Sequence, residues 1–217
     1  MRILVFGAAG GSVRAIVAQA LADGHQVTAF VRNRAQLAEA PGLNIVEGDA
    51  TKPGDVAGAI RPGHDAIVVA LGERPKPLDW VPGLRRAPPS RVCEIGTRNI
   101  LAALPEAART RLIVISAYGV GDTRALAPWY YRWYLRLFLG ALMEDKERQE
   151  ARLKASALAV LLLQPVALTD APAAGTWLAD SDGSIRRHQV SRQDLARFIA
   201  AELRAQWHLR GTIAFSG

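Results

Sequence analysis

The chain has 217 residues, of which 50% are hydrophobic and 22% are charged, a composition typical of globular proteins that excludes a disordered chain. The formal net charge is +7, but the basic residues are mostly arginines spread along the chain, so we predict an arginine-rich surface and no nucleic-acid partner. The sequence has no apolar run long enough for an integral membrane segment, no secretory leader and only one cysteine, Cys93, so we expect a cytoplasmic protein without disulfides.

Short β-rich runs alternate with helical patterns, as in parallel βαβ units. The first strand, RILVFGA (2–8), is apolar throughout, as a strand buried on both faces is. A helix follows at 12–24 and ends at Gly24. Ser191 is the expected N-cap of the last helix, which precedes a last strand at 211–217. The other predicted strands are 26–32, 43–50, 64–72, 111–119 and 158–165, and the other helices are 55–60, 92–104 and about 142–156.

This order predicts an α/β fold: one Rossmann domain over residues 1–217, with a doubly wound, mostly parallel sheet. The expected strand order is 3-2-1-4-5-6, to which the C-terminal strand can be added. Segments 73–91 and 126–140 interrupt the alternation and are predicted to be irregular. Because both follow strands, we expect them to wall a substrate pocket, with surface loops as the alternative.

The segment FGAAGGSVR (6–14) lies between the first strand and the first helix. Gly7 would permit a tight turn, and Gly10 would let backbone N–H groups approach a pyrophosphate at the helix N-terminus. The alternative is that these glycines only turn the chain. Where such turns usually have a third glycine, this chain has Val13. We expect this β-branched residue to weaken the site without abolishing it.

This turn and the segments after it resemble the atypical NAD(P)H-binding branch of the short-chain dehydrogenase/reductase superfamily, which includes NmrA-like proteins and flavin/biliverdin reductases. The resemblance runs in family order through GHQVTAFVRN (24–33), VEGDA (46–50), VVALG (68–72), GTRNILAAL (96–104), VISAYGVGDT (114–123), residues 145–170 and VSRQDLARFI (190–199). It implies a cofactor site in three parts. The diphosphate would lie at Gly7, Ala9, Gly10, Gly11, Ser12 and Val13, the adenosine at Asp49, Ala50, Leu71 and Gly72, and the nicotinamide at Pro165 and Val166.

The end of the second strand, FVRNR, bears on the choice of cofactor. NAD-preferring sites usually have an acidic residue here for the ribose 2′-hydroxyl. This chain has Arg32 followed by Asn33, with Arg14 and Arg34 nearby. A guanidinium binds phosphate bidentately, so we predict NADP(H), with contacts from Arg32 and Asn33. The alternative is a solvated arginine on an arginine-rich surface.

The residues available for catalysis depart from the superfamily pattern. By resemblance, Ser116 and Lys146 match the catalytic serine and lysine, but Leu142 stands where the tyrosine of a Tyr-x-x-x-Lys pair would be. Tyr118 could supply a hydroxyl near the nicotinamide. The alternatives are an aromatic packing residue for Tyr118 and a solvated helix face for Lys146. The four histidines lack ligand spacing, so no metal site is predicted.

The stretch APWYYRWYLRLFLGAL (127–142) concentrates aromatic side chains. On a helical wheel Tyr131, Leu135, Phe138 and Leu142 share one face. Three roles remain open: a lid that stacks on a planar substrate, a homodimer interface, or a helix that touches a membrane surface.

The sequence thus predicts an NADPH-dependent oxidoreductase that acts on a small planar acceptor such as a flavin or a quinone. The alternative is a regulator that senses NADP(H), binds a partner protein and performs no chemistry. A sugar-nucleotide epimerase or dehydratase is disfavoured, because it normally needs the missing Tyr-x-x-x-Lys pair and a larger C-terminal substrate region.

Overall fold

A computed structural model describes residues 1–7, 10–73, 91–105, 109–205 and 210–217. The strands are Arg2–Phe6 (β1), Gln26–Val31 (β2), Leu43–Glu47 (β3), Ala66–Val69 (β4), Arg111–Ile115 (β5), Val160–Pro165 (β6), Ala167–Thr169 (β7), Leu178–Asp180 (β8), Gln189–Ser191 (β9) and Gly211–Ser216 (β10). The α-helices are Gly11–Ala22 (α1), Pro53–Ile60 (α2), Val92–Ala103 (α3), Trp129–Ala155 (α4) and Arg192–Ala205 (α5).

Eight strands form one sheet in the order β3-β2-β1-β4-β5-β6-β10-β8. All neighbours pair in parallel except β10 and β8, which are antiparallel. The predicted order of the first six strands is confirmed, as is the addition of the C-terminal strand beside β6. A separate pair of short parallel strands, β7 and β9, lies outside this sheet.

Helices cover both faces of the sheet because side chains alternate along each strand. In β1, Ile3 and Val5 belong to one core cluster together with residues of α1 and α5. Leu4 and Phe6 belong to the other cluster, with residues of α2, α3 and the C-terminal part of α4. These four of the five β1 side chains are completely buried, so the strand is a continuous apolar run after Arg2.

The ends of the two helices that pack together, α1 and α5, follow the predicted signals. Gly24 has a φ of +78° and follows α1, as expected for a C-terminal stop. Ser191 caps α5, because its Oγ accepts a hydrogen bond from the backbone N–H of Asp194 at 2.9 Å. Both capping predictions are confirmed.

The prediction of an irregular segment at 126–140 is wrong for residues 129–140. These residues form the first half of α4, which begins directly after Pro128 and continues without a break to Ala155. Tyr131 and Leu135 face inward at helical spacing, so burial of this stripe adds to the helical propensity of the later, charged half. Residues 74–90 of the other irregular segment lie outside the described residues.

Strands β7, β8 and β9 were not predicted, since three residues are too few to show an alternating pattern. Within the described ranges, no helix is both long enough and apolar enough to cross a bilayer.

Candidate cofactor and active site

The carboxyl ends of β1 and β4 meet at the point where the strand order reverses, because β2 continues to one side of β1 and β5 to the far side of β4. Open parallel sheets bind ligands in the crevice at such a point. Gly7 follows β1, Leu71 comes two residues after β4, and Pro165 and Val166 lie at the end of β6, so the three predicted parts of the site lie at the same edge of the sheet.

The glycine turn after β1 has a backbone that other residues do not readily adopt. Gly7 has a φ of +90°, and a Cβ at this position would overlap the carbonyl oxygen of Ala70, which follows β4. The backbone N–H of Gly10 donates to the carbonyl of Gly7 at 3.2 Å and closes the turn. Gly7 is therefore required for the close approach of β1 and β4. Ala9 lies outside the described residues.

Helix α1 begins at Gly11 with a free N-terminus. No described side chain caps it, and its first turn contains no acidic residue. The N–H groups of the first turn, including that of Ser12, are thus positioned for an anion, which the helix dipole also favours. This cradle fits a dinucleotide diphosphate. Val13 is 1% exposed and packs in the core beneath the turn, and its predicted cost in affinity remains a prediction.

At the end of β2, the three candidate arginines differ in their partners. Arg34 pairs with Glu39 at 3.3 Å, and Arg14 donates to the carbonyl of Gln36 at 3.2 Å. Arg32 is exposed and makes no hydrogen bond or ion pair within the described parts of the chain. Arg32 is therefore the arginine best able to bind a 2′-phosphate.

The adenosine side contains Asn33 and Asp49, whose oxygens are used locally. Asn33 Oδ1 accepts from the N–H of Ala35 at 2.9 Å. Asp49 Oδ1 accepts from the backbone N–H and the hydroxyl of Thr51. These hydrogen bonds lower the pKa of Asp49, and the nearby charge of Arg32 adds to the effect.

Ala50 and Leu71 are brought together by a glycine in α3. A Cβ on Gly96 would overlap the side chain of Leu71 and lie 3.2 Å from Cβ of Ala50. The carbonyl of Ala50 also accepts a hydrogen bond from Asn99 Nδ2 at 2.9 Å. Two predicted adenosine contacts, from different loops, thus rest on the same helix. Gly72, the next residue, is exposed.

On the nicotinamide side, the structure places Tyr118 beside the predicted cofactor residues. The N–H of Tyr118 donates to the carbonyl of Pro165 at 2.9 Å, and the N–H of Val166 donates to the carbonyl of Phe215 at 3.0 Å. The Tyr118 ring is buried, with its centroid 6.5 Å from that of Tyr131. Burial raises the pKa of Tyr118, so its phenol is neutral at physiological pH.

Lys146 reaches the crevice from α4. Its Nζ donates to the carbonyl of Ile115, the last residue of β5, at 3.2 Å, and the residue is half-buried. The alternative of a fully solvated lysine is therefore wrong. Leu142, one turn earlier, confirms that the tyrosine of the usual pair is missing.

Ser116 points instead into a buried polar cluster that the sequence did not reveal. Its hydroxyl donates to Oε1 of Glu150 at 2.5 Å, and Glu150 also accepts from Nε2 of Gln164 at 2.9 Å. Glu150 is 1% exposed. Burial raises the pKa of Glu150, and the hydrogen bonds from Ser116 and Gln164 only partly oppose this effect. The only available signal was the spacing of Glu150, one turn after Lys146.

The single cysteine is not a nucleophile. Cys93 Sγ donates to the carbonyl of Leu71 at 3.2 Å, and burial raises its pKa to about 12. The N–H groups of Cys93 and Glu94 both donate to the carboxylate of Asp145, so α4 caps α3. The residues that the structure describes include no metal-binding cluster.

Comparison with known proteins identifies the family. A family profile described as NAD(P)H-binding matches residues 7–206. An uncharacterized chloroplastic protein of Arabidopsis thaliana is 27% identical over 209 residues, which is 93% of this chain and 71% of that protein.

Solved structures share the fold. ChuY, an anaerobillin reductase from Escherichia coli O157:H7, has a TM-score of 0.76 and 23% identity, and the alignment covers 100% of this chain and 96% of ChuY. A wide-type short-chain dehydrogenase/reductase from Veillonella parvula DSM 2008, in complex with NADP, has a TM-score of 0.80 and 18% identity, with 100% and 94% covered. Since the family profile spans nearly the whole chain, this protein belongs to the NAD(P)H-binding family.

Proposed function

We propose that the protein is an NADPH-dependent reductase of a small planar electron acceptor, such as a flavin, a quinone or a linear tetrapyrrole. The observation that carries the proposal is the group of aromatic rings beside the nicotinamide end of the crevice. Tyr131 stands with its ring centroid 6.5 Å from Tyr118 and 6.3 Å from His188. Aromatic surfaces of this kind favour a flat, conjugated ligand. That ChuY is an anaerobillin reductase adds support for an acceptor of this class.

The preference for NADPH rests on Arg32. An exposed guanidinium at the end of β2 that makes no ion pair or hydrogen bond with the described residues favours a phosphorylated ribose. The Veillonella parvula structure in complex with NADP agrees with this choice. The prediction is tested by Arg32→Ser, which should weaken NADPH binding about 10-fold or more and leave NADH binding unchanged.

The proposed reaction does not need a general acid from the protein. The cofactor, when bound, would supply the hydride, and the proton that an acceptor with low-lying empty orbitals also needs would come from water. This agrees with the absence of the Tyr-x-x-x-Lys pair. Lys146 uses one N–H on Ile115 and has two more donors for the nicotinamide ribose, and Tyr118 presents a neutral ring. Ser116 acts as a positioning residue, because its hydroxyl joins the end of β5 to Glu150 in α4.

The experiment is NADPH oxidation at 340 nm against flavins, quinones, linear tetrapyrroles and simple aldehydes. We expect turnover with at least one planar acceptor and none with aldehydes. Lys146→Met should raise KM for NADPH and lower kcat, whereas Arg148→Met, on the same helix and paired with exposed Glu144, should leave both unchanged. Faster NADPH oxidation with an aldehyde than with any planar acceptor would contradict the proposal.

A second candidate is an NADP(H)-sensing regulator. It is favoured by one observation. The Ser116 hydroxyl, which stands where the superfamily uses a catalytic serine, already donates its proton to Glu150. Tight NADPH binding, no oxidation with any acceptor and recovery of a partner protein would support it.

The outer face of α4 bears on the partners of the protein. Trp129 and Trp133 are 70% and 66% exposed and take no part in the inner ring group. A homodimer interface and a membrane-surface contact both remain alternatives for this face, while the inner face supports the lid. Sedimentation with and without liposomes separates the three. The cytoplasmic location is likewise part of the proposal.

A further inference from the structure

Arg192, the first residue of α5, lies against the N-terminus of α1. Its Nε and Cδ stand 3.0 Å and 3.1 Å from the position that a Cβ on Gly11 would occupy. Gly11 is the first residue of α1 and part of the glycine turn. A second helix thus brings a guanidinium beside the first residue of α1, although the two residues are far apart in the sequence.

This arrangement favours a bound anion. The N-terminus of α1 carries a partial positive charge, and its first turn has no acidic residue. A guanidinium beside it adds charge of the same sign. The recorded partner is Asp170, whose side chain is 88% exposed and accepts from Nη1 at 2.8 Å. Such an exposed ion pair contributes little, so Asp170 can be exchanged for a stronger ligand.

The backbone of Arg192 is held firmly. Ser191 and Asp194 on either side of it form a cap, in which each side chain hydrogen-bonds to the other residue. Asp194 also accepts from the N–H groups of Ala174 and Gly175, which fixes the loop after β7 to the start of α5. The side chain of Arg192 itself is 26% exposed, so it is partly buried where it lies against Gly11.

We propose that Arg192 binds the diphosphate of the cofactor from α5, opposite the N–H groups of the glycine turn. The proposal rests on the proposed function, because it assigns a residue to that same nucleotide. A guanidinium has five N–H donors, and only one is used by Asp170 within the described residues. The others match phosphate oxygens in geometry and charge. Arg192 therefore supplies affinity for the part of the dinucleotide that NADPH and NADH share.

The test compares two arginine variants by calorimetry with NADPH and with NADH. Arg192→Met should weaken both nucleotides by the same factor, roughly 10- to 100-fold, and leave their affinity ratio unchanged. Arg32→Ser should weaken NADPH alone. If the wild type binds neither nucleotide, the proposed function fails. If the wild type binds NADPH and Arg192→Met binds it equally well, only the present inference fails.

Asp170→Asn is the matched control, because it removes the other half of the ion pair. If the diphosphate replaces Asp170, this variant binds NADPH as tightly as the wild type or a few-fold more tightly. An equal loss in Asp170→Asn and Arg192→Met would mean that the ion pair only supports the fold and would overturn the inference. If Arg192→Met lowers the melting temperature of the unliganded protein, Arg192→Lys replaces it as the test variant. Arg192→Lys keeps the positive charge, and we expect its affinity for both nucleotides to fall several-fold.

Discussion

Gly7 combines two constraints that a single methyl group would violate. Its φ of +90° disfavours any residue with a Cβ, and that Cβ would meet the backbone of Ala70 rather than a movable side chain. We therefore expect Gly7→Ala to lower the free energy of unfolding by roughly 1–3 kcal/mol, measured by urea denaturation. It should also abolish measurable NADPH binding, because β1 and β4 must separate at the cradle.

Gly58→Ala is the control for this prediction. Gly58 lies inside α2, and a Cβ there would meet no atom within 4 Å. The substitution should stabilise the protein by about 0.4–1 kcal/mol through the unfolded state and leave NADPH binding unchanged. A Gly7→Ala protein as stable as wild type would contradict the close approach of the two strands.

Glu150 makes stability depend on pH. Burial raises the pKa of its carboxyl group. The charge of Lys154, whose Nζ lies 3.9 Å from Glu150 Oε2, opposes this effect, and the charge of Asp122 adds to it. Because the folded state favours the neutral acid, the stabilisation is complete below the ordinary pKa of 4.5 and is lost as the pH rises through the raised value. Glu150→Gln stays neutral and still accepts from Ser116. The melting temperature of Glu150→Gln, minus that of the wild type, should therefore increase as the pH rises above 4.5 and level off once Glu150 of the wild type has ionised.

The same change at Glu147 provides a reference on the same helix. The Glu147 side chain is one-third exposed and pairs with exposed Arg124. Glu147→Gln should shift the melting temperature by a small amount that shows no such rise with pH. If Glu150→Gln gave an equally flat difference, the buried carboxyl group would not be the source of the pH dependence.

At the scale of elements, the contact between α3 and α4 supports the crevice. Asp145 of α4 accepts the N–H groups of Cys93 and Glu94 at 2.9 Å each and is 5% exposed. Asp145→Ala leaves both N–H groups without this partner, and we expect a loss of about 1–3 kcal/mol in the free energy of unfolding. Glu144→Ala removes an exposed ion pair with Arg148 and should cost less than about 0.5 kcal/mol. Equal effects from the two variants would contradict the capping role.

The elements that were predicted correctly are those whose own residues show the burial pattern or the capping signal. Strands β1, β4, β5 and β6 are apolar because both faces are buried, and α1 and α5 end or begin at residues that cap them. The beginning of α4 at Trp129 was missed because its exposed face is as aromatic as its buried one, with Trp129 70% exposed, so the stripe that predicts a helix is hidden. The short strand β9 forms only because β7 lies beside it.

The same reasoning separates the predicted part of the site from the missed part. The glycine turn is visible in the sequence, since Gly7 and Gly10 lie in one short segment between a strand and a helix. Glu150 and Arg192 were missed because their partners, Ser116 and Gly11, are supplied by packing between distant segments. The role of Ser116 depended on such a contact, and no local pattern indicates it.

At the scale of the whole molecule, the cofactor should bind across both halves of the sheet. The candidate contacts follow β1, β2 and β3 on one side of the switch point and β4, β5 and β6 on the other. A ligand that binds only the folded state stabilises it by RT ln(1 + [L]/Kd), which is about 2.7 kcal/mol when the ligand is at 100 times its Kd. For a chain of 217 residues, this corresponds to a rise in melting temperature of roughly 5–10 °C.

This linkage gives a prediction that needs no knowledge of the acceptor. NADPH at millimolar concentration should raise the melting temperature of the wild type by several degrees, and NADH should raise it less. In Arg32→Ser the two nucleotides should give equal shifts, since the group that distinguishes them has lost its cationic partner. Equal melting-temperature shifts in the wild type would mean that the protein does not distinguish NADPH from NADH. A single transition that moves as a whole with ligand is also expected, because a dinucleotide held by loops from six strands stabilises the sheet as one unit.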